Sequence, residues 1–347
     1  MDRIDFRSDT VSWPTPEMRE AMAGAVVGDD VYGEDPTVNA LEALAAEKVG
    51  KEAGLLVSSG TMGNLAAILA QATRGDEVIV GRDSHVMLYE AGSIAALGGV
   101  IPLTLPTDDF GQMDIVAVEA AVRSNNVHLP RSRLVHVENS YGAKQGSPLP
   151  PAYFAEVSEV CQRNQLAMHL DGARLFNAAV AQDIDVREIT GHVDSLSFCL
   201  SKGLCAPVGS ILCGSLDFIG QARRIRKALG GGMRQAGILA AAGMIALEKM
   251  VDRLEEDHHH ARLLAKGLLL IPGVSLDLDM VRTNIIFFEL EDDVPLSARE
   301  IAIRMREKGN VWVGLRGSRS FRAVTHYWIG QAEVKIFLDL LDEILQE

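Results

Sequence analysis

No segment of this 347-residue chain holds the uninterrupted run of about 18 apolar residues that a helix needs to cross a membrane. The first seven residues, Met-Asp-Arg-Ile-Asp-Phe-Arg, also lack the apolar core of a secretory signal. We therefore predict a cytoplasmic protein with no membrane partner.

Positive charge is also scarce. The 47 Asp and Glu residues outnumber the 33 Lys and Arg residues, and the formal net charge is -14. Nucleic acids and anionic membranes repel a surface of this sign, so the balance argues against both as partners. A small-molecule ligand fits better. With 48% hydrophobic residues, the chain is long enough for a large core and two domains.

Cysteine is rare, and no two cysteines have Cys-x-x-Cys spacing, so we predict neither a disulfide framework nor a zinc site. The four are Cys161, Cys199, Cys205 and Cys213. Three consecutive histidines, 258–260, would be spread around the circumference of a helix, where one metal ion cannot gather them. We predict a solvated helix face there and no metal site.

Short β-rich runs alternate with longer amphipathic ones through the first two thirds of the chain. The seven candidate strands are 54–57, 77–80, 100–104, 134–138, 166–170, 195–199 and 208–213. This alternation predicts an α/β fold with a mostly parallel seven-stranded sheet, whose apolar strands are covered by helices on both faces. Ligands of such sheets bind beyond the carboxyl ends of the strands.

The last third of the chain predicts a smaller α+β unit. A long helix from about 235 to 270 comes first, and a strand at 283–290, a helix at 297–308, strands at 311–315 and 321–325 and a closing helix follow. We place the boundary inside the long helix, which gives a large domain at 1–250 and a small one at 251–347.

Lys202 and Asp171 carry the first chemical signal. Lys202 lies among small and apolar residues, 31 positions after an aspartate at a predicted strand end. Pyridoxal 5'-phosphate needs an amine to hold its aldehyde as a Schiff base and a carboxylate to keep its ring nitrogen protonated. The alternative for these two residues is a surface lysine and a salt-bridging aspartate.

Residues 56–64 run from a predicted strand into a helix, and backbone N–H groups at a helix start attract phosphate. Ser59, Gly60 and Thr61 would form this cradle, unless the segment is only a capped turn. His85 follows the next predicted strand. It could stack on a cofactor ring and transfer protons, or it could simply cap a helix. His128 looks like a loop histidine.

Two arginines are candidates for a carboxylate site. Arg174 follows Asp171 by three residues, and Arg322 lies in the predicted small domain. Guanidinium groups bind a carboxylate in bidentate fashion, although surface salt bridges are the alternative role. The flexible segment Gly-Gly-Gly-Met-Arg-Gln at 230–235, which follows Lys227, could reach a phosphate across a subunit boundary.

Six segments together resemble the low-specificity L-threonine aldolases, pyridoxal-phosphate enzymes of the aspartate-aminotransferase type (fold type I). They are Phe-Arg-Ser-Asp-Thr-Val at 6–11, the run at 27–39, Ser-Gly-Thr-Met-Gly-Asn at 59–64, His-Leu-Asp-Gly-Ala-Arg-Leu-Phe-Asn at 169–177, Leu-Ser-Lys-Gly-Leu at 200–204 and the segment at 230–235. The resemblance covers nearly the whole chain.

The resemblance implies a role for each matching residue. Lys202 would be the Schiff-base lysine, Asp171 the pyridinium partner, His85 the stacking imidazole, and Gly60 and Thr61 the phosphate site. Ser8, Arg174 and Arg322 would bind the substrate carboxylate, and His128 would approach its β-hydroxyl. Tyr32, Lys227 and Arg234 would come from a neighbouring subunit of a homotetramer built as a dimer of dimers.

This chain departs from the family pattern in two places. Where the family usually reads Glu-Asn-Thr-His-Asn, residues 138–142 read Glu-Asn-Ser-Tyr-Gly, which loses a histidine. Cys205 stands where a glycine usually follows Lys-Gly-Leu, and a small buried cysteine is the simplest reading of it.

The implied function is that of an aldehyde-lyase. It would cleave L-threonine, L-allo-threonine and other β-hydroxy-α-amino acids to glycine and an aldehyde, or run the reverse addition, in threonine catabolism and glycine biosynthesis. Either His85 or His128 could be the base. The alternatives are another lyase of this fold, which β-eliminates from aromatic amino acids or cysteine, and a noncatalytic ligand-binding protein.

Overall fold

The structure, a computed structural model, describes residues 3–347. Within this range it contains thirteen strands and fourteen α-helices. The strands are β1 (Ile4–Asp5), β2 (Ala53–Val57), β3 (Glu77–Gly81), β4 (Ile101–Leu105), β5 (Ser132–Glu138), β6 (Ala167–Asp171), β7 (Ser195–Cys199), β8 (Ser210–Gly214), β9 (Val274–Ser275), β10 (Ile285–Leu290), β11 (Val311–Trp312), β12 (Gly314–Leu315) and β13 (Ser320–Val324).

The helices cover both faces of the main sheet and complete the smaller unit. They are α1 (Pro16–Ala23), α2 (Pro36–Lys48), α3 (Gly60–Gln71), α4 (His85–Leu88), α5 (Ser93–Ala96), α6 (Ile115–Ala121), α7 (Pro151–Asn164), α8 (Leu175–Gln182), α9 (Val186–Thr190), α10 (Leu216–Ala228), α11 (Gly237–Lys249), α12 (Leu254–Leu268), α13 (Ala298–Gly309) and α14 (Gln331–Gln346). In the part of the chain that the structure describes, none is both long and apolar enough for a membrane span.

The seven strands predicted from the sequence form one sheet in the order β2-β8-β7-β6-β5-β3-β4. Strands β3 to β7 pair in parallel, whereas β8 is antiparallel to both β2 and β7. Strands β3, β7 and β8 are buried at every residue, as expected where helices cover both faces. The predicted α/β fold with a mostly parallel sheet is therefore confirmed.

This topology gathers loops at one edge. Because β2 and β7 are both antiparallel to β8, β2 points in the same direction as the parallel strands. Every strand of the sheet except β8 therefore has its carboxyl end at the same edge, and the segments after β2, β3, β5, β6 and β7 meet there.

The helix predicted over 235–270 is in fact two helices, since α11 ends at Lys249 and α12 begins at Leu254. Leu247 and Leu254 belong to the larger hydrophobic core, whereas Ala261 and Leu264 belong to the smaller one. The turn at 250–253 redirects the chain from one core to the other. It contains neither glycine nor proline, so the sequence carries no local signal for it.

The prediction that the three histidines form a solvated face is wrong for His258. This residue is buried, and its Nε2 lies 3.1 Å from Asn177 Nδ2 on α8. Burial lowers the pKa of His258 to about 4. Its neighbour His259 is exposed. The first turns of α12 lie against α8, and this packing, which depends on residues about 80 positions apart, decides which histidine is covered.

The amino terminus joins the smaller unit rather than the main sheet. Strand β1 pairs in parallel with β11, and Phe6 is fully buried against the ring of Phe337 on α14, with their centroids 4.9 Å apart. The segment that follows β1 thus passes directly between the small unit and the sheet edge, where it delivers Ser8 and Asp9.

Candidate active site

The start of α3 offers an anion site after β2. Ser59 caps this helix, since its Oγ accepts the N–H of Met62. The N–H groups of Gly60 and Thr61 lie in the first turn, where the helix itself provides no acceptor. A Cβ at Gly60 would lie 3.3 Å from Cys199 Sγ, a close contact that glycine avoids. These features suit a phosphate group.

Asp171 ends β6 and is buried. Its Oδ1 accepts the N–H of Ala173, and its Oδ2 accepts a hydrogen bond of 2.8 Å from Asn64 Nδ2 on α3. These bonds fix the carboxylate at the sheet edge, where it can hold a protonated ring nitrogen. Asn64 was not among the predicted site residues, although it closes the segment 59–64 that indicated the phosphate site.

His85 begins α4, just beyond β3. Its Nδ1 lies 2.8 Å from Glu90 Oε1, and its backbone N–H donates to Glu138 Oε2. The hydrogen bond to Glu90, together with the charge of Asp171, raises the pKa of His85 despite partial burial. The imidazole is therefore held at the sheet edge beside the carboxylates of Glu90 and Asp171.

Glu138, at the end of β5, was also missed. Its two carboxylate oxygens accept the backbone N–H groups of His85 and Gly142. Burial, with a further contribution from the charge of Asp171, raises its pKa to about 7. Glu138 thus ties the loop after β3 to the loop after β5, and it opens the segment in which this chain departs from the family pattern.

Within that segment, Tyr141 is buried, and burial raises the pKa of its hydroxyl. A Cβ at Gly81 would lie 2.6 Å from the Tyr141 hydroxyl, which places this side chain under the end of β3. The tyrosine that replaces the usual histidine is thus a packed residue. The other departure, Cys205, is also buried, and burial raises its pKa to about 12, so the thiol stays protonated.

Arg174 and Asp9 form a buried bidentate pair, in which Nε and Nη2 donate to the two carboxylate oxygens at 2.6 Å each. Asp9 was not predicted. Asp9 therefore occupies Nε and Nη2 of the Arg174 guanidinium. Only Nη1 of Arg174 takes no part in this pair. Ser8, adjacent to Asp9, accepts the N–H of Thr10.

Arg322 and Lys202 lie near the same carboxylate. The charge and hydrogen bonds of Arg174, with smaller contributions from the charges of Lys202 and Arg322, hold the pKa of Asp9 well below its ordinary value despite burial. Burial and the charge of Arg174 lower the pKa of Arg322 to about 10. Three cationic groups thus lie around the Asp9 carboxylate. This concentration of positive charge would attract a further anion. The predicted pair of arginines does converge, around Asp9.

Lys202 follows β7 in a tight loop. Its carbonyl accepts the Ser12 hydroxyl at 3.0 Å and the N–H of Cys205. Cys205 has φ of 63°, a left-handed conformation. The loop is thus tied to the amino-terminal segment that carries Ser8 and Asp9. Lys202 is partly exposed. Its positive charge acts on both Asp9 and His85, so its side chain lies near both residues at the sheet edge.

Tyr32, Lys227 and Arg234 form a separate surface group. Arg234 pairs with Asp29 and lies 5.8 Å from the centre of the Tyr32 ring. A Cβ at Gly232 would lie 3.3 Å from Lys227 Nζ. Tyr32 is 73% exposed, which is high for a tyrosine and typical of a residue that another molecule covers.

His128 lies elsewhere. It is exposed in the loop before β5, and its N–H donates to Asn126 Oδ1. Since β5 begins at Ser132, His128 lies at the amino-terminal edge of the sheet, opposite Lys202 and Asp171. Within one chain, the structure does not bring His128 to the other predicted site residues.

The residues at the carboxyl edge fit the cofactor predicted from the sequence. The start of α3 supplies free N–H groups for a phosphate. Lys202 supplies an amine near Asp9 and His85, and Asp171 supplies a carboxylate that two hydrogen bonds fix. The imidazole of His85 lies beside that carboxylate, since one ring nitrogen of His85 and one oxygen each of Glu90 and Asp171 lie within 4.8 Å of one another. The excess of positive charge around Asp9 suits a carboxylate substrate.

Comparisons with known proteins point to one family. The family model described as beta-eliminating lyase matches residues 5–291. A probable low-specificity L-threonine aldolase 2 of Arabidopsis thaliana is 45% identical over 98% of this chain and 97% of its own length. The low specificity L-threonine aldolase of Escherichia coli (strain K12) is 42% identical over 95% of this chain and 96% of its own length.

Solved structures show the same fold. A threonine aldolase of Leishmania major has a TM-score of 0.83 at 21% identity and covers 99% of both chains. A putative L-allo-threonine aldolase of Listeria monocytogenes has a TM-score of 0.78 at 22% identity, over 96% of this chain and 95% of its own. At such identities, these likenesses concern the fold alone.

Proposed function

This chain belongs to the beta-eliminating lyase family and, within it, to the low-specificity L-threonine aldolases, and we propose that the residues at the sheet edge carry out that reaction. It is a pyridoxal-phosphate-dependent aldehyde-lyase of fold type I that cleaves threonine to glycine and an aldehyde. The observation that supports this site most strongly is the arrangement of Lys202, Asp171 and the start of α3 at one edge of one sheet.

We propose a role for each of these residues. Lys202 Nζ would hold the cofactor aldehyde, Asp171 would keep its ring nitrogen protonated, and Ser59, Gly60 and Thr61 would bind its phosphate. The bound cofactor accepts the electron pair that the breaking Cα–Cβ bond releases. Arg322, Ser8 and the remaining nitrogen of Arg174 would bind the substrate carboxylate. Asp9 holds the guanidinium of Arg174 in place, and Arg322 donates to the carbonyl of Arg7.

A base must remove the proton of the substrate β-hydroxyl. We propose His85 for this role, because one of its ring nitrogens lies within 4.8 Å of the Asp171 carboxylate at the sheet edge. L-allo-threonine and other β-hydroxy-α-amino acids would be further substrates. The reaction would contribute to threonine breakdown and glycine formation. The cytoplasmic location remains a prediction.

Product analysis tests this function. Purified protein supplied with pyridoxal phosphate and L-threonine should release acetaldehyde and glycine in equal amounts. Pyruvate and ammonia from cysteine or an aromatic amino acid, with no aldehyde from threonine, would instead identify an eliminating lyase. Absence of any turnover after the cofactor has bound would favour a ligand-binding protein.

Substitution of His85 by asparagine tests the proposed base. We expect the kcat for L-threonine cleavage to fall ~10²-fold or more, because a positioned general base contributes at least that much. Steady-state acetaldehyde release, measured at saturating cofactor, reports the change. If turnover stays within a few-fold of wild type, His85 is not the base. The substitution His128→Asn, assayed in parallel, shows whether the second histidine takes that role.

We further propose that Tyr32, Lys227 and Arg234 complete the site of a neighbouring subunit and that the chain forms a homotetramer of two close dimers. His128 would reach a site of another subunit in the same assembly. The exposed tyrosine and its basic neighbours support this arrangement. We also propose domain limits of 1–250 and 251–347, with the amino-terminal residues around Phe6 packed into the smaller unit. The change from one hydrophobic core to the other after α11 supports a boundary in this region.

Subunit mixing tests the shared site. Lys202→Ala and Arg234→Ala chains, each inactive alone, should regain about a quarter of wild-type activity when co-expressed, since half of randomly formed two-fold dimers are hybrids with one native site. Co-expression of Lys202→Ala with Asp171→Ala is the matched control and should restore nothing, because both residues belong to the same subunit's site. Equal recovery in both mixtures, or none in either, would contradict the arrangement.

A further inference from the structure

Glu90 is a buried carboxylate beside the site. It is 2% exposed and lies five residues after His85. Its Oε1 lies 2.8 Å from both His85 Nδ1 and Asn64 Nδ2. Among the described residues, its Oε2 has no hydrogen-bond partner. A carboxylate held in this way is costly to bury, which is expected when it serves a site rather than the stability of the fold.

The amide of Asn64 joins Glu90 to Asp171. One nitrogen, Nδ2, lies 2.8 Å from Glu90 Oε1 and 2.8 Å from Asp171 Oδ2, so its two hydrogens serve two carboxylates. The amide oxygen accepts the hydroxyl of Ser197 at 3.1 Å. The reversed amide would place its oxygen against both carboxylates, so this orientation is the only favourable one.

The contact with Glu90 also determines which nitrogen of His85 carries a hydrogen. An ionised carboxylate only accepts hydrogen bonds, so Nδ1 must be the donor. In the neutral imidazole, Nε2 then has no hydrogen and can accept a proton. Without Glu90, the two tautomers of His85 would compete, and only one of them presents Nε2 as a base.

The other ionisable groups around His85 come from several elements. Asp171 and Glu138 lie at the ends of β6 and β5, Lys202 follows β7, and His136 lies within β5. The ring of Tyr89 is 5.5 Å away. Of the groups that act on His85, Glu90 has the largest effect, and its hydrogen bond raises the pKa of the imidazole.

We propose that Glu90 is the positioning residue of this site, which holds His85 in the tautomer with a free Nε2 and connects it through Asn64 to Asp171. This inference rests on the proposed role of His85 as the base. Glu90 contacts the imidazole of His85, and we propose that it affects the reaction only through that ring.

The substitution Glu90→Gln tests the proposal because it removes the charge and retains the shape. In the cofactor-free protein, NMR titration of the His85 Cε1–H signal, assigned by its absence in His85→Asn, should show a lower pKa than in wild type. In the loaded enzyme, kcat for threonine cleavage should fall roughly 10- to 100-fold with little change in KM, and the acidic limb of the pH profile should move to lower pH.

Glu42→Gln is the matched control. Glu42 is another buried glutamate, but its carboxylate contacts Arg223 and the N–H of Leu56 rather than a histidine. This substitution should leave the His85 titration unchanged. If Glu90→Gln fails to fold by circular dichroism, Glu90→Asp, which withdraws the carboxylate by one methylene group, should shift the His85 titration in the same direction.

An unchanged His85 titration in the folded Glu90→Gln or Glu90→Asp protein would overturn the proposal, even if activity fell. This readout is separate from the function itself, because the titration needs neither cofactor nor turnover. If the Glu90 variants shift the His85 pKa but the wild-type protein releases no acetaldehyde, the positioning role of Glu90 is supported and the aldolase reaction is contradicted. If the wild-type protein releases acetaldehyde but the Glu90 variants leave the His85 pKa unchanged, the aldolase reaction is supported and the positioning role of Glu90 is contradicted.

Discussion

Replacement of Lys202 by alanine should lower threonine cleavage by more than ~10³-fold, because loss of the residue that forms the covalent link to a cofactor removes a step that other groups cannot supply. The loop that carries Lys202 is held through its backbone carbonyl by Ser12 and Cys205. Removal of the side chain therefore leaves the loop's anchors in place, and the fold should persist.

Two measurements check this expectation together. The visible absorption of the purified protein with pyridoxal phosphate should be lost in Lys202→Ala, and acetaldehyde release should fall to background. Lys266→Ala is a suitable control, since this exposed lysine lies on α12 and should change neither property. Retention of both colour and turnover in Lys202→Ala would show that another amine holds the cofactor.

Replacement of Arg174 by methionine should lower the free energy of unfolding by about 3–5 kcal/mol at neutral pH, the usual cost of leaving one member of a buried ion pair without its partner. Asp9 is 0% exposed and Arg174 8%, and their two hydrogen bonds are both 2.6 Å long. Urea unfolding of the cofactor-free protein measures this loss.

The double variant with Asp9→Asn and Arg174→Met is the control. It removes both charges, so most of the lost free energy should return, although the substrate carboxylate site stays impaired. A loss below about 1 kcal/mol in the single variant would mean that the pair behaves as an exposed salt bridge, which contradicts its burial.

The ion pair of Asp9 and Arg174 also predicts that the free energy of unfolding decreases in acid. The pKa of Asp9 is depressed in the folded protein, so its contribution to stability is present above the unfolded pKa of about 4 and is lost as the pH falls below it. The free energy of unfolding of wild type should therefore fall relative to that of the double variant, which lacks the Asp9 carboxyl group, as the pH drops below about 4. A difference that stays constant down to pH 3 would contradict this assignment.

The order of elements and the type of sheet could be read from the sequence because they depend on local patterns. All seven strands of the main sheet lie where short apolar runs predicted them, and the sequence could predict their common edge from the rule for parallel sheets. The break between α11 and α12 could not be predicted, since it depends on which of two cores each helix face meets.

The site was predicted in part. Lys202, Asp171 and Gly60 have chemistry that their neighbours in sequence reveal. Asp9, Asn64, Glu90 and Glu138 were missed, although Asp9 and Asn64 lie inside segments that carried the family resemblance. Asp9 and its partner Arg174 are 165 residues apart in the sequence. Asn64 is 26 residues from Glu90 and 107 residues from Asp171. Only the fold brings such groups together.

The placement of the cofactor on Lys202 is tested most directly by borohydride reduction of the protein loaded with pyridoxal phosphate, followed by peptide mass mapping. Reduction makes the bond between the lysine nitrogen and the cofactor permanent. We predict that the added mass lies on the peptide that contains Lys202 and on no other. Added mass on a different lysine, or none on a protein that still cleaves threonine, would contradict the site described above.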